Sequence, residues 1–206
     1  AAQVTHTYAK AGSYATTVRV TDDGGGFDSL SFAHIAHHPL TAKPPTSSAS
    51  IVYDAARTRV YVVNQDNDSI TSIDTTALMN VAELAVYRRP EALALAPSGK
   101  LWVVHRDDYA VAVVDPDTFS IERGFRLPYA SQPMGIAFSP AGDAVYITLM
   151  ALGQLLKLDP TTGEVVGTLD VGPMPRGVAV SADGKAVYVT RFISPSTGGE
   201  VVRARS

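Results

Sequence analysis

Apolar and polar positions alternate along most of this chain in short runs. Runs of about five to seven residues, such as "RVYVVN" from Arg59, "AVYITL" from Ala144 and "AVYVTR" from Ala186, are dominated by Val, Ile, Tyr and Thr. Gly or Pro falls between the runs, where a positive or fixed φ turns the backbone. No segment sustains a helical period. The pattern predicts an all-β chain of short strands joined by tight turns.

From Ser50 onward the pattern is periodic. Pro90, Pro133 and Pro175 lie 43 and 42 residues apart, and Asp74, Asp115 and Asp159 lie 41 and 44 apart. An aromatic recurs in the second run of each copy as Tyr61, Trp102, Tyr146 and Tyr188. It follows the turns Ala56-Arg57-Thr58, Pro97-Ser98-Gly99, Pro140-Ala141-Gly142 and Ala182-Asp183-Gly184. Each copy reads as four antiparallel strands, in the third copy roughly 135–139, 144–149, 154–159 and 165–170. A four-stranded sheet of this kind cannot bury both faces alone and must stack on its neighbours, which predicts β-propeller blades. Stacking assigns the four aromatics to packing between blades. It assigns Asp74, Asp115 and Asp159 to accepting turn N–H groups just before the Pro or Thr that follows.

The same segments resemble a known family. "AVYITL", "AVYVTR" and "RVYVVN", with turns of the "SPAGD" and "SADGK" type and the stretch "LLKLDPTTGEVVGTLDVGPMPRGVAV", look like the YVTN-type repeats of bacterial surface and periplasmic β-propellers. The resemblance runs from Ser50 to Ser206. It implies a fold and says little about activity, because its motif positions are strand and turn residues.

Before Ser50 the period is absent. "VTHTYAKAGSYATTVRVTDDGGGFDSLSF", from Val4 to Phe32, resembles the C-terminal half of a PKD-type domain, an immunoglobulin-like sandwich common in extracellular proteins. The matching residues are His6, Thr7, Tyr8, Gly12, Tyr14, Val18, Val20, Thr21, Asp22 and Gly24. A sandwich of this type needs about seven strands and only about three fit here. The fourth blade copy likewise supplies three strands. The organisation expected is a partial sandwich over 1–36, a Pro-rich linker over 37–48 and an incomplete ring of about four blades over 49–206. The chain then reads as an internal section of a longer polypeptide. The alternative is that another copy donates the missing strands, so that the protein assembles with itself through unpaired edges.

Composition narrows the function classes. A net charge of −3 from 20 acidic and 17 basic residues, with no long run of either sign, excludes the basic footprint of a nucleic-acid binder. The absence of cysteine excludes disulfides, thiolate metal sites and Cys-x-x-Cys-His haem attachment within these residues. No apolar run approaches the roughly 18 residues of a membrane span.

Candidate chemistry is sparse. His34, His37 and His38 form a cluster that offers imidazoles to a metal, but they straddle a strand end and the linker without a Cys or Glu-x-x-His partner, which also fits solvated histidines. Asp66 and Asp68 alternate like the start of a calcium loop, without its sixth-position Gly or twelfth-position Glu; a hairpin turn is the reading adopted. Glu91 and Arg176 enter successive inner strands and are the candidates for a ligand-binding rim at the channel mouth. No cofactor is expected. "TRFISPSTGGEVVRA" resembles hairpin inserts of YVTN propellers that partner, or are fused to, di-haem peroxidase-like cytochromes. The function expected is non-catalytic binding or scaffolding by an exported bacterial protein at the cell surface, in the periplasm or outside the cell. Its loops would engage a protein, glycan or surface polymer. The competing expectation is a propeller enzyme or electron-transfer protein with its active groups elsewhere.

Overall fold

The computed structural model describes residues 3–10, 12–36, 50–193 and 201–205. The chain forms two compact units, Ala1–Pro44 and Pro45–Ser206.

The first unit is built on one antiparallel hairpin, β1 (Gly12–Thr21) and β2 (Phe27–Ala36). Its turn closes through the Asp22 carboxylate, which accepts the Gly26 N–H at 2.7 Å, while Gly25 takes the positive φ of 83° that the reversal requires. The sequence leaves room for about three strands, yet residues 3–8 form none. They are fixed instead by Tyr8, whose hydroxyl shares a 2.7 Å hydrogen bond with Thr16 and whose ring lies 4.4 Å from Tyr14 and 5.0 Å from His34.

The second unit is a partial β-propeller. Blade 1 has the order β3 (Ile51–Asp54), β4 (Arg59–Asn64), β5 (Ser69–Asp74), β6 (Met79–Ala85). Blade 2 is β7 (Pro90–Leu95), β8 (Leu101–His105), β9 (Ala110–Asp115), β10 (Ser120–Arg126), and blade 3 is β11 (Pro133–Phe138), β12 (Val145–Leu149), β13 (Gln154–Leu158), β14 (Val165–Asp170). Blade 4 has three described strands, β15 (Pro175–Val180), β16 (Ala186–Arg191) and β17 (Val201–Arg205). All neighbours within a blade are antiparallel. The inner strands of blades 2, 3 and 4 start at the recurrent proline, in blade 3 two residues earlier than the alternation predicts, because a bulge follows Pro133 and blurs the apolar period there.

Apolar residues of one blade meet those of the next, so the core lies in the seams. Tyr61, Val63 and Ile70 of blade 1 pack on Leu93, Leu101 and Val103 of blade 2. Trp102 and Val104 of blade 2 pack on Ile136, Phe138 and Ile147 of blade 3. Tyr146 and Leu155 of blade 3 pack on Val178, Val180 and Val187 of blade 4. Three of the recurrent aromatics are therefore buried, whereas Tyr188, on the far face of blade 4, is 39% exposed.

The inner strands of blades 2, 3 and 4 carry a bulge after the recurrent proline, and in blades 3 and 4 a threonine of the strand beside it accepts the backbone N–H that the bulge takes out of the ladder. In blade 3 the fully buried Thr148 hydroxyl accepts the Gly135 N–H at 2.8 Å and donates to the Arg176 carbonyl of blade 4. Thr190 accepts the Gly177 N–H at 3.0 Å in blade 4, at a more exposed place. Thr148→Val keeps the shape and orphans two backbone groups, so urea unfolding is expected to show a loss of about 1–3 kcal/mol, and less for Thr190→Val. Equal, negligible losses would contradict the stapling role.

Candidate functional site

Antiparallel blades have two ends. The loops that lead from an outer strand into the next inner strand share one end with the β4–β5, β8–β9 and β12–β13 hairpins, here called the loop end. A repeated backbone lattice fixes this end. Arg89, Gln132 and Met174 each take a positive φ of 49–53° immediately before the recurrent proline. That is an unusual conformation for a residue preceding proline. It aims their carbonyls at Arg106, Met150 and Phe192, whose N–H groups donate at 2.9–3.0 Å. Asp68, Tyr109 and Gly153, also at positive φ, accept the N–H of Val86, Leu127 and Val171 at 2.7–2.9 Å.

On this lattice sits Glu91, second residue of β7. Its side chain is only 7% exposed and lies among cationic and amide groups: Gln65 Nε2 donates at 2.7 Å, Arg89 Nε lies at 3.3 Å and Arg106 Nη1 at 3.6 Å. Glu91 thus bridges blade 1 to blade 2. Arg176 holds the corresponding place on β15, where its guanidinium lies 4.9 Å from the Phe192 ring. The two rim candidates share a repeat position but occupy blades 2 and 4, and Met134 stands at that position between them.

The other candidates fall elsewhere. His34 lies in β2 and stacks on Tyr8 at 14° between planes; His37 and His38 lie outside the described residues. Asp68 accepts the Arg89 N–H at 2.7 Å through Oδ1, and Gln65–Asn67 forms a 3-10 turn, so the segment is built as a turn. Asp74, Asp115 and Asp159 stand at the opposite end of the blades. Each accepts two successive turn N–H groups at 2.6–3.2 Å. These bonds hold Asp74 and Asp159 below the usual carboxylate range; at Asp115 the bond from Lys100, ahead of the two turn N–H groups, brings the carboxyl down to about 2. Tyr61, Trp102 and Tyr146 lie within the seams. Among the described residues no group of three or more His, Asp or Glu is arranged to hold a metal ion.

Two loop-end features escape a reading by residue type. The first is a cavity of about 470 Å³ between blades 3 and 4, lined by Met150, Leu152, Gly153, Asp170, Pro173 and Met174. In its wall Gly153 and Gly172 approach so closely that a Cβ on Gly153 would lie 3.0 Å from the Gly172 carbonyl oxygen. The second is His105, fully buried at the end of β8 with Tyr87 edge-on at 5.1 Å. Neither ring nitrogen has a partner in hydrogen-bond geometry. Blade 1 has Asn64 at this repeat position, bonded to Ser69 and Thr71 at 2.9 and 2.8 Å. That substitution is the signal in the sequence that marks His105.

Burial pushes His105 down to about 4, against smaller opposing pulls from the Ala110 backbone and then from the Asp108 and Asp68 charges. The sign follows: the unfolded chain takes up this proton near pH 6.5 and the folded chain only near 4, so stability falls as pH drops between those values, by up to about 3 kcal/mol. The depressed carboxylates begin to lose their contribution as pH falls through their ordinary values, 4.5 for Glu83, whose bonds from Ser69 and Asn67 hold it down, and 3.8 for the aspartates, so they enter only the acid edge of this window. Urea unfolding at pH 7 and pH 5 is expected to show a loss of about 2 kcal/mol that shrinks below about 1 in His105→Asn. An unchanged loss in the variant would contradict the assignment.

No protein-family model matches the chain, and no curated protein matches it. Solved structures do. Hydrazine synthase from Kuenenia stuttgartiensis aligns with 25% identity and a TM-score of 0.69 over 82% of this chain and 48% of that one. A protein from Lactobacillus plantarum aligns with 20% identity and a TM-score of 0.61, over 89% and 61%. Virginiamycin B lyase from Staphylococcus aureus aligns with 16% identity and a TM-score of 0.62, over 97% and 68%. The chain thus spans about half of the first and about three-fifths of the second. The likeness is one of fold.

Proposed function

We propose that this chain is a binding section of an exported multidomain bacterial protein, a YVTN-type propeller preceded by part of a PKD-like sandwich. Its loop end engages a protein, glycan or surface polymer. The observation that carries the reading is the methionine-walled cavity of about 470 Å³ at the loop end, set on a backbone lattice that repeats from blade to blade. An open, concave surface with polar and apolar lining in similar measure, on a rigid frame, suits recognition, because little ordering entropy is lost when a partner docks. Polar groups for orientation stand at the same end, with Glu91 held between blades 1 and 2 and Arg176 on blade 4.

A second reading has its own support. Structural neighbours of this fold include a hydrazine synthase and virginiamycin B lyases, whose names denote enzymes. In that reading the propeller frames a catalytic or electron-transfer centre whose active groups lie outside these residues. Self-assembly by strand donation draws support from the hairpin of the first unit, where Val20 and Leu30 are 68% and 67% exposed. Among the described residues no helix is long and apolar enough to cross a membrane.

The test is binding of the purified chain to two probes, protein-free cell-wall sacculi and detergent-solubilised envelope protein. Binding to one of them, weakened about tenfold by Leu152→Asp and unaffected by Met79→Asp on the outer strand of blade 1, is the expected result. No binding to either probe, or equal binding by Leu152→Asp, would overturn the reading.

A further inference from the structure

The first seam differs from the later ones in what the connecting loop puts into it. Between β6 and β7 the chain runs through residues 86–89, and Tyr87 turns back onto blade 2. Its ring stands edge-on to His105, and its hydroxyl reaches β10, where it occupies the place that a Cβ on Gly124 would take. Ala110 and Ala112 are the register partners of His105 and Gly124, so the slot between those two residues is floored by small side chains. The same four positions hold Asn64, Ser69, Thr71 and Glu83 in blade 1, and Leu149, Gln154, Leu156 and Thr168 in blade 3. A slot fitted to one aromatic side chain is therefore particular to blade 2.

Two carboxylates hold this loop down. Asp108 accepts the Arg88 N–H at 2.7 Å and the Arg88 Nε at 3.0 Å, and Asp68 accepts the Arg89 N–H at 2.7 Å. Backbone bonds close its two ends: Val86 N–H donates to the Asp68 carbonyl at 2.8 Å, and the Arg89 carbonyl accepts the Arg106 N–H at 2.9 Å. The charged groups on the elements around the slot are Arg88 and Arg89 of the loop, Arg106, Asp107 and Asp108 of the β8–β9 hairpin, Asp68 of blade 1, Glu91 of β7 and Arg126 of β10. Arg88 is paired with Asp108, Arg89 and Arg106 with Glu91, and Arg126 donates to the Asp108 carbonyl. Asp108 and Asp68 are the charges that act on the His105 ring, yet no acceptor reaches either of its nitrogens in hydrogen-bond geometry.

We propose that residues 86–89 form an acid-released strap, closed over His105 while the imidazole is neutral and lifted, with Tyr87 withdrawn from its slot, when the imidazole takes a proton from solvent. The argument is one of acceptors. An imidazolium carries a charge and two N–H donors, and in the closed slot it meets an aromatic ring and two alanines. The two carboxylates that act on it are engaged by the strap's own N–H groups. Solvating the imidazolium therefore means turning those carboxylates away from the strap or bringing the ring to water, and either change undoes the strap. Lifting also separates Arg89 from Glu91, so acid remodels the rim between blades 1 and 2. The strap stands apart from the binding reading, whose cavity lies between blades 3 and 4.

Amide hydrogen exchange of the full chain at pH 7 and pH 5, each rate divided by its intrinsic value at that pH, tests the strap. Aspartates stay ionised at both values. With His105 at about 4 when covered and about 6.5 when open, linkage raises the opening of the Arg88 and Arg89 amides roughly twentyfold. These amides are expected to exchange at least about tenfold faster than Val103 of β8, which makes the opening local. The Met150 and Phe192 amides, which hold the place of Arg106 at the later seams, are expected to change by less than about threefold. In His105→Asn the rise at Arg88 and Arg89 falls below about threefold. Gly124→Ala sets a methyl group where the Tyr87 hydroxyl lies and leaves His105 in place, so the strap is expected to open at least about tenfold more at pH 7, with unfolding still cooperative. A strap that opens no further at pH 5, equal rises at Met150 and Phe192, exchange as slow as that of Val103, a rise that persists in His105→Asn, or an unchanged strap in Gly124→Ala would each overturn the proposal.

Discussion

Each blade is a sheet with two apolar faces, and burial of those faces depends on the blade beside it. Almost every other feature answers to that constraint. The buried aromatics Tyr61, Trp102 and Tyr146 all stand on the second strand of a blade and point at the next one. Burying a large aromatic contributes several kcal/mol, more than any single exposed ion pair in the molecule. The seams therefore hold the fold, and polar groups refine it. Blades 2 and 3, covered on both faces, have second strands that are buried at every position, while β4 and β16 are only partly covered.

Because the strands are committed to the seams, variation collects at the two ends. The same lattice of positive-φ residues repeats at the loop end, yet the side chains it displays change from Arg106 to Met150 to Phe192. At the opposite end the backbone again repeats, while the arginine that reaches the next blade's turn shifts from Arg57 to Arg123. Function in such a scaffold resides in departures from the repeat, since positions that merely obey it are occupied by packing.

The propeller architecture was legible in the sequence because period, alternation and turn chemistry all act locally. The recurrent Pro marks the inner strand, the Gly turn precedes the aromatic strand, and the third blade's four strands differ from expectation by at most two residues. The bulge after Pro133 accounts for the largest of these differences. What the sequence did not disclose depends on contacts between blades. Residue type alone places Glu91 at a rim; only the fold brings Gln65, Arg89 and Arg106 around it. His105 reads as part of a polar turn in "HRDD", and its burial follows from Tyr87 arriving out of the preceding loop. In the first unit, three strands seemed to fit, but Tyr8 pins residues 3–8 across the hairpin through ring contacts that no alternation records.

Native-state hydrogen exchange on the full chain tests the primacy of the seams most directly, because it reports local opening sheet by sheet. The account predicts that amides of β8 and β12, such as Val103 and Ile147, exchange at least about tenfold more slowly than those of β4 and β16, such as Val62 and Tyr188. Equal protection across the four sheets, or slowest exchange in blade 4, would show that stability resides within each sheet and would contradict it.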